Sequence, residues 1–213
     1  MKALVRVAVA LVVLAVLAAL FLRSARSTGA RPFTVARQQL AGWIVAVPPD
    51  ADPLGSVLSL VPKTELVPDL GRDLFARVGE SLHYPPPALP LVLRSEFDRA
   101  LAGSLTREGL LDAARDAGLD SVTLQPRCMA QRRSSTPGAV RAVYFLLFDL
   151  PEFTRFREGV AQRLRAAGRD AALFDPAALS PVVITADLDG RFAGWLPLRA
   201  DPQADCFAPV VVE

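Results

Sequence analysis

The chain has 213 residues, 52% of them hydrophobic and 22% charged, with a formal net charge of +2. That charge is unevenly placed: residues 1–42 hold six basic side chains and no acid, and the remainder holds 18 basic and 22 acidic ones. A mildly acidic body behind a basic head excludes a nucleic-acid footprint, and one histidine with two distant cysteines excludes the usual zinc spacings, so no nucleic-acid partner, metal or other cofactor is expected.

Residues 7–22 form an unbroken run without a polar side chain behind Lys2 and Arg6. At about 1.5 Å per residue the run covers roughly 24 Å. Extension back to Ala3, with Arg6 snorkelling to the headgroups, gives about twenty residues, enough to cross a bilayer core of about 30 Å. Residues 1–23 are therefore read as a membrane anchor, with residues 3–22 in the bilayer, and residues 24–42 as a basic juxtamembrane spacer. A cleaved signal peptide is the alternative, with a cleavage site at Ala25 and Ser27 or at Thr28 and Ala30. Arg23 and Arg26, directly after the apolar run, favour retention. Lys2 and Arg6 oppose Arg23, Arg26, Arg31 and Arg37 in the positive-inside comparison. A basic head before an apolar run is nevertheless how most exported chains begin, so the domain is placed outside the cytoplasm, with a cytoplasmic-facing domain as the alternative. Lysine occurs only at positions 2 and 63, and the arginine and alanine bias points to a GC-rich bacterial genome.

Residues 43–213 suffice for one domain with its own core. Their pattern reads as α+β, a largely antiparallel sheet with helices packed on one face. Residues 43–47 form a buried strand ended by Pro48-Pro49, and residues 54–61 and Pro68–Val78 read as weaker helices. The Pro-rich segment 84–90 is a stiff connector and a candidate sub-boundary. Leu89–Leu93 reads as a strand leading to a helix capped by Ser95, with Asp98 three residues on. Another helix starts at Thr106 and stops at Gly118. Residues 121–125 alternate as a half-buried strand, 134–138 form a turn or loop, and 142–148 form a central strand covered on both faces. After Pro151, the side chains of Phe153, Phe156, Val160, Leu164 and Ala167 fall on one helical stripe that Gly168 terminates. Asp189-Gly190 between residues 182–186 and 191–196 signals a hairpin, and residues 206–212 supply the last strand.

Cys128 and Cys206 are candidates for one disulfide if the domain is exported. Their closed loop of about 79 residues is worth roughly 4.5 kcal/mol as an upper figure from chain entropy. Two buried thiols are the alternative. His83 stands beside a triple proline without a G-x-S-x-G or similar motif and reads as a loop or surface histidine. Asp187 and Asp189 lack the further acidic ligands of a calcium loop and read as a turn. Arg127, Arg132, Arg133 and Arg141 gather around residues 134–138 as a candidate site for a phosphate or carboxylate. Solvated hairpin residues are the favoured explanation of the same four arginines. Arg155, Arg157, Arg163 and Arg165 spread around the helical wheel and read as a solvated face.

The strand–helix–strand pattern over residues 140–186, ending Ser-Pro-Val-Val-Ile-Thr, is similar to the second lobe of the 2H phosphoesterases. That family places His-x-Thr on such a strand. Val182 stands where the histidine would fall, so the resemblance implies no catalytic pair here. The functional expectation is a single-pass membrane protein whose exported domain binds or scaffolds a protein partner in the bacterial cell envelope. Its rivals are an anchored hydrolase or transferase using scattered Asp, Glu and Arg residues, and the same domain facing the cytoplasm.

Overall fold

The computed structural model describes residues 31–63, 68–136 and 139–213. The anchor expected over residues 1–23 lies outside them, and among the described residues no helix is long and apolar enough to cross a membrane. The chain begins with β1 (Phe33–Val35), α1 (Arg37–Leu40), β2 (Trp43–Ala46), β3 (Ser56–Pro62) and α2 (Pro68–Val78). β4 (Leu89–Leu93) leads into α3 (Arg94–Glu96), which widens into a π turn (Phe97–Leu101), and α4 (Arg107–Asp116) follows. The second half contains β5 (Gln125–Thr136), β6 (Ala139–Asp149), α5 (Pro151–Ala166), β7 (Val182–Asp187), α6 (Pro202–Asp205), β8 (Cys206–Ala208) and β9 (Val210–Val212).

An antiparallel sheet in the order β7-β6-β5-β8 is the spine of the domain. Its centre is β6, where alternation serves two buried faces. Ala142, Tyr144, Leu146 and Phe148 join the larger core with α4 and α5, and Val143, Phe145 and Leu147 join a smaller one with Cys128, Phe192 and Leu198. A second antiparallel sheet, β2-β3-β4, and a parallel pair, β1-β9, complete one globular α+β domain. On α5 the expected stripe holds at Phe153, Phe156, Val160 and Leu164, which are buried, but not at Ala167, which is exposed where the helix ends before Gly168 at φ +70°. The Thr106 hydroxyl caps α4 by accepting from Gly109 N at 3.1 Å. Cys128 and Cys206 are joined as a disulfide between β5 and β8, their Cα atoms 5.8 Å apart.

Several expectations need correction. Residues 54–61, read as a helix, contain β3. Five successive buried residues, Ser56 to Leu60, leave no alternation to read. Ser95 is not the cap of the next helix; the Glu96 carboxylate accepts from Leu93 N at 3.0 Å instead. Residues 121–125 are not a strand, because a 3-10 turn spans Leu119–Ser121 and β5 starts only at Gln125. Val122 and Leu124 alternate into the core from a connector. The expected loop at 134–138 is largely strand, with β5 running through Thr136 and residues 137–138 outside the description. Residues 191–196 form no hairpin strand but a 3-10 turn, Phe192–Trp195, whose Phe192 fills the smaller core. Pro209, which has no N–H to give, splits the last strand, so β8 pairs with β5 and β9 with β1. Residues 33–40 of the expected spacer belong to the fold, since Phe33, Val35 and Leu40 are buried. Their three apolar positions are too few to show a period in a basic stretch.

The largest correction concerns Arg157, which is completely buried rather than solvated. Its guanidinium faces Glu96, donating from Nη2 to Oε1 at 2.6 Å and from Nη1 to Oε2 at 3.2 Å. The remaining N–H groups meet the carbonyls of Leu91, Asp175 and Pro176 at 2.8–3.0 Å. The Phe174 ring lies 4.6 Å from the guanidinium carbon. Every donor is satisfied, as burial of a charge requires. Arg157→Ala strands the Glu96 carboxylate and should cost about 3–5 kcal/mol. The double variant Arg157→Met/Glu96→Met removes both charges and should recover much of that loss. Urea midpoints of the single and double variants measure both, and a double variant no more stable than Arg157→Ala would contradict the account.

Candidate functional site

Strand geometry separates the four arginines of the expected anion patch. Arg127 and Arg133 are six residues apart on β5, roughly 20 Å at about 3.4 Å per residue. Arg127 donates to Asp149 Oδ1 at 3.3 Å near one end of the sheet. Arg132 shares the face of Cys128 and Ala130, donating to Asp205 Oδ1 at 3.2 Å and to the Arg199 carbonyl at 2.8 Å. Arg133 lies on the opposite face, its Nη2 3.4 Å from the Tyr144 hydroxyl. Burial pushes the Tyr144 hydroxyl up, and the charge and hydrogen bond of Arg133 partly offset this. Arg141 donates from Nε to Asp189 Oδ2 at 2.7 Å. Three of the four thus carry a carboxylate partner of their own, and the structure does not gather them at one point.

A different cluster forms where β7 ends. Asp187 is completely buried, and its Oδ1 accepts from Gly190 N at 2.7 Å. His83 exchanges two backbone hydrogen bonds with Asp187, at 2.8 and 3.0 Å. The histidine ring lies against Gly190, where φ is +70° and a Cβ would come within 3.5 Å of it. Desolvation pushes the Asp187 carboxyl up; the Gly190 N–H offsets part of this, and the hydrogen bond and charge of Asp189 add to it. Asp189 resists its own desolvation and is held low by hydrogen bonds from Arg141 and Arg191. The two carboxyls are thus displaced in opposite directions, Asp187 upward and Asp189 downward. Arg141 completes the knot, with its guanidinium carbon 4.8 Å from the Trp195 ring centre. Arg141 Nη2 and Trp195 Nε1 are buried without a hydrogen-bond partner among the described residues. His83, read as a loop or surface histidine, is indeed exposed, whereas Asp187, read as a turn residue, closes the buried strand β7. The available signal was an aspartate closing the mostly apolar strand Val182–Asp187, a position where sheet burial persists.

A concave surface lies elsewhere, between α4 and α5. It has a volume of about 430 Å³, a floor of Ala113, Ala117 and Gly159, and a rim of Asp116, Arg155 and Arg163. Past Arg155 it continues into a second concavity of about 570 Å³, bordered by Gly118, Thr123, Gln125, Asp149 and Glu152. Rim charges are paired: Arg163 with Asp116 at 2.6 Å and Arg155 with Glu152 at 2.8 Å. Gly159 stands in mid-helix, and a Cβ added there would meet nothing within 4 Å. Of the expected arginines only Arg127 approaches this groove, through Asp149 at its end. Among the described residues, no three His, Cys, Asp or Glu side chains converge as a metal site.

The chain matches no protein-family model, no curated protein and no solved structure.

The carboxyl pair sets a pH signature. Folding favours protonated Asp187, so its contribution is fully present below the ordinary carboxyl value of 3.8 and is lost as pH rises through the raised folded value. Asparagine cannot release a proton. Urea midpoints measured upward from pH 3.8 should therefore fall more for wild type than for Asp187→Asn. Parallel profiles would show that folding does not raise the Asp187 carboxyl.

Proposed function

We propose that the chain is a single-pass membrane protein whose exported α+β domain acts by binding in the bacterial cell envelope. The groove between α4 and α5 is the surface it presents to a protein partner. Gly159 carries this reading. A helix-interior glycine costs about 1 kcal/mol relative to alanine, and no neighbour within this chain requires its small size. A clear groove floor gives it a reason, because any side chain there would rise into the space a partner occupies. The paired rim charges supply hydrogen-bonding groups on both walls without leaving an unbalanced field. The Cys128–Cys206 bridge suits an oxidising compartment, which supports export.

Gln162 lines the same groove and is exposed, so a cysteine placed there reports on both location and partner. A membrane-impermeant maleimide should label Gln162→Cys in intact cells, and labelling only after lysis would put the domain in the cytoplasm. A cleavable cross-linker on that cysteine should capture a protein, and adding Gly159→Trp should abolish capture while leaving the urea midpoint near wild type. Capture that persists with Gly159→Trp would remove the groove from the proposal. Gly159→Ala alone should raise stability by up to about 1 kcal/mol.

A second reading, an anchored hydrolase or transferase, draws on one observation: Asp187 and Asp189 are displaced in opposite directions, as an acid–base pair requires. It demands that reagents reach Asp187. Water-soluble carbodiimide with an amine nucleophile, followed by peptide mass spectrometry, tests this, and an unmodified Asp187 in the folded protein would exclude the reading.

A further inference from the structure

The chain that leads into β5 reaches past the end of its partner strand. Gln125 lies opposite Asp149 and Pro126 opposite Phe148. Phe148 N turns away from β5, to the Pro181 carbonyl beside β7 at 3.0 Å, so Asp149 faces β5 and Gln125 faces β6. Before Gln125 the chain is already extended: Val122 has φ −78° and ψ 145°, and Val122 and Leu124 are buried while Thr123 and Gln125 are exposed. Leu124 N turns the other way, to the Leu40 carbonyl at 2.9 Å. By alternation the N–H and C=O of Thr123 point to the β6 side. The register of Gln125 with Asp149 would set residue 151 opposite Thr123. That residue is Pro151, which has no N–H and opens α5, where the chain leaves the sheet. The N–H and C=O of Thr123 accordingly make no hydrogen bond among the described residues.

Open space adjoins this edge. Thr123, Gln125, Asp149 and Pro151 all border the concavity of about 570 Å³ that continues the α4–α5 groove past Arg155. An unpaired N–H and C=O on an extended segment are the template for one more extended main chain. The charges at the rim are matched, Arg127 with Asp149 and Arg155 with Glu152. The concavity therefore offers no net field to an anion or a cation, and an uncharged main chain fits it. We propose that an extended segment of the protein partner lies here and adds a strand at Thr123, taking up the line that β6 leaves at Asp149. This deepens the reading of the groove as a partner surface and rests on it. The added strand supplies the ladder that residues 121–125 lack, although their alternation is that of a strand.

The full chain in intact cells provides the test, through the cross-linked complex formed by Gln162→Cys. Thr123→Pro deletes an N–H that bonds nothing in this chain, and Val122 before it is already extended, as a residue preceding proline must be. It should cut capture about tenfold, the worth of one hydrogen bond, with the urea midpoint near wild type. Thr123→Ala keeps the N–H and should leave capture within about twofold of the Gln162→Cys parent. In the captured complex, exchange of the Thr123 amide hydrogen should slow by about tenfold or more. Equal capture by Thr123→Pro and Thr123→Ala, or unchanged exchange in the complex, would overturn the inference and leave the groove standing. Absence of capture by Gln162→Cys itself would overturn the groove and this inference together. If the proline lowers the urea midpoint, the α-hydroxy-acid counterpart of threonine at position 123 removes the same N–H without a ring and is judged by the same outcomes.

Discussion

A buried arginine organises this domain. Arg157 comes from α5, Glu96 from α3, and the carbonyls that complete the shell come from β4 and the 175–176 loop. Four pieces of chain, spread from Leu91 to Pro176, thus meet at one guanidinium. Lysine could not replace it, since only a planar fork with five donors meets a bidentate carboxylate and three carbonyls at once. The energetic weight lies in the asymmetry: each charge is tolerable only while the other is present. Through this contact the three-stranded sheet, which ends at β4, is held in register with the helix covering the four-stranded one.

The larger sheet is fastened at both margins by chemistry other than apolar packing. At one margin the disulfide ties the three-residue strand β8 to β5, a pairing with only two matched positions of its own. At the other, Arg141 on β6 grips Asp189, and the Asp187 carboxyl closes the bend through Gly190. Between these margins β5 and β6 pair along eleven positions and need no such help. The groove between α4 and α5 is built on this rigid base, which suits a surface that must keep its shape.

Legibility in the sequence followed periodicity. β6 and α5 were readable because long apolar runs and a clean 3–4 spacing leave few alternatives. β3 was not, because burial on both faces erases alternation, and the serines at 56 and 59 look polar although they bond to each other at 2.7 Å in the core. Arg157 misled for a related reason: a charged residue on a helical wheel carries no mark of the carboxylate that awaits it 61 positions away. The cysteines could be paired by counting, but the four arginines could not be placed, because strand alternation and local carboxylates disperse residues that are close in sequence. Gly159 could be seen as a helix glycine only after the helix was known, and its open surroundings are a fact of tertiary structure alone.

The parallel pairing of β1 with β9 has a consequence for how the chain reaches its final form. Phe33 is completely buried, in edge contact with Phe207 at 6.0 Å, and Arg37 N and Glu213 N complete the ladder with the opposite strand. β1 therefore has no strand partner until residues 210–212 have been made. The domain is thus closed by a seam in which residues 33–35 and 210–212 lie side by side. Loss of residues 210–212 would be felt directly by their partners at residues 33–35.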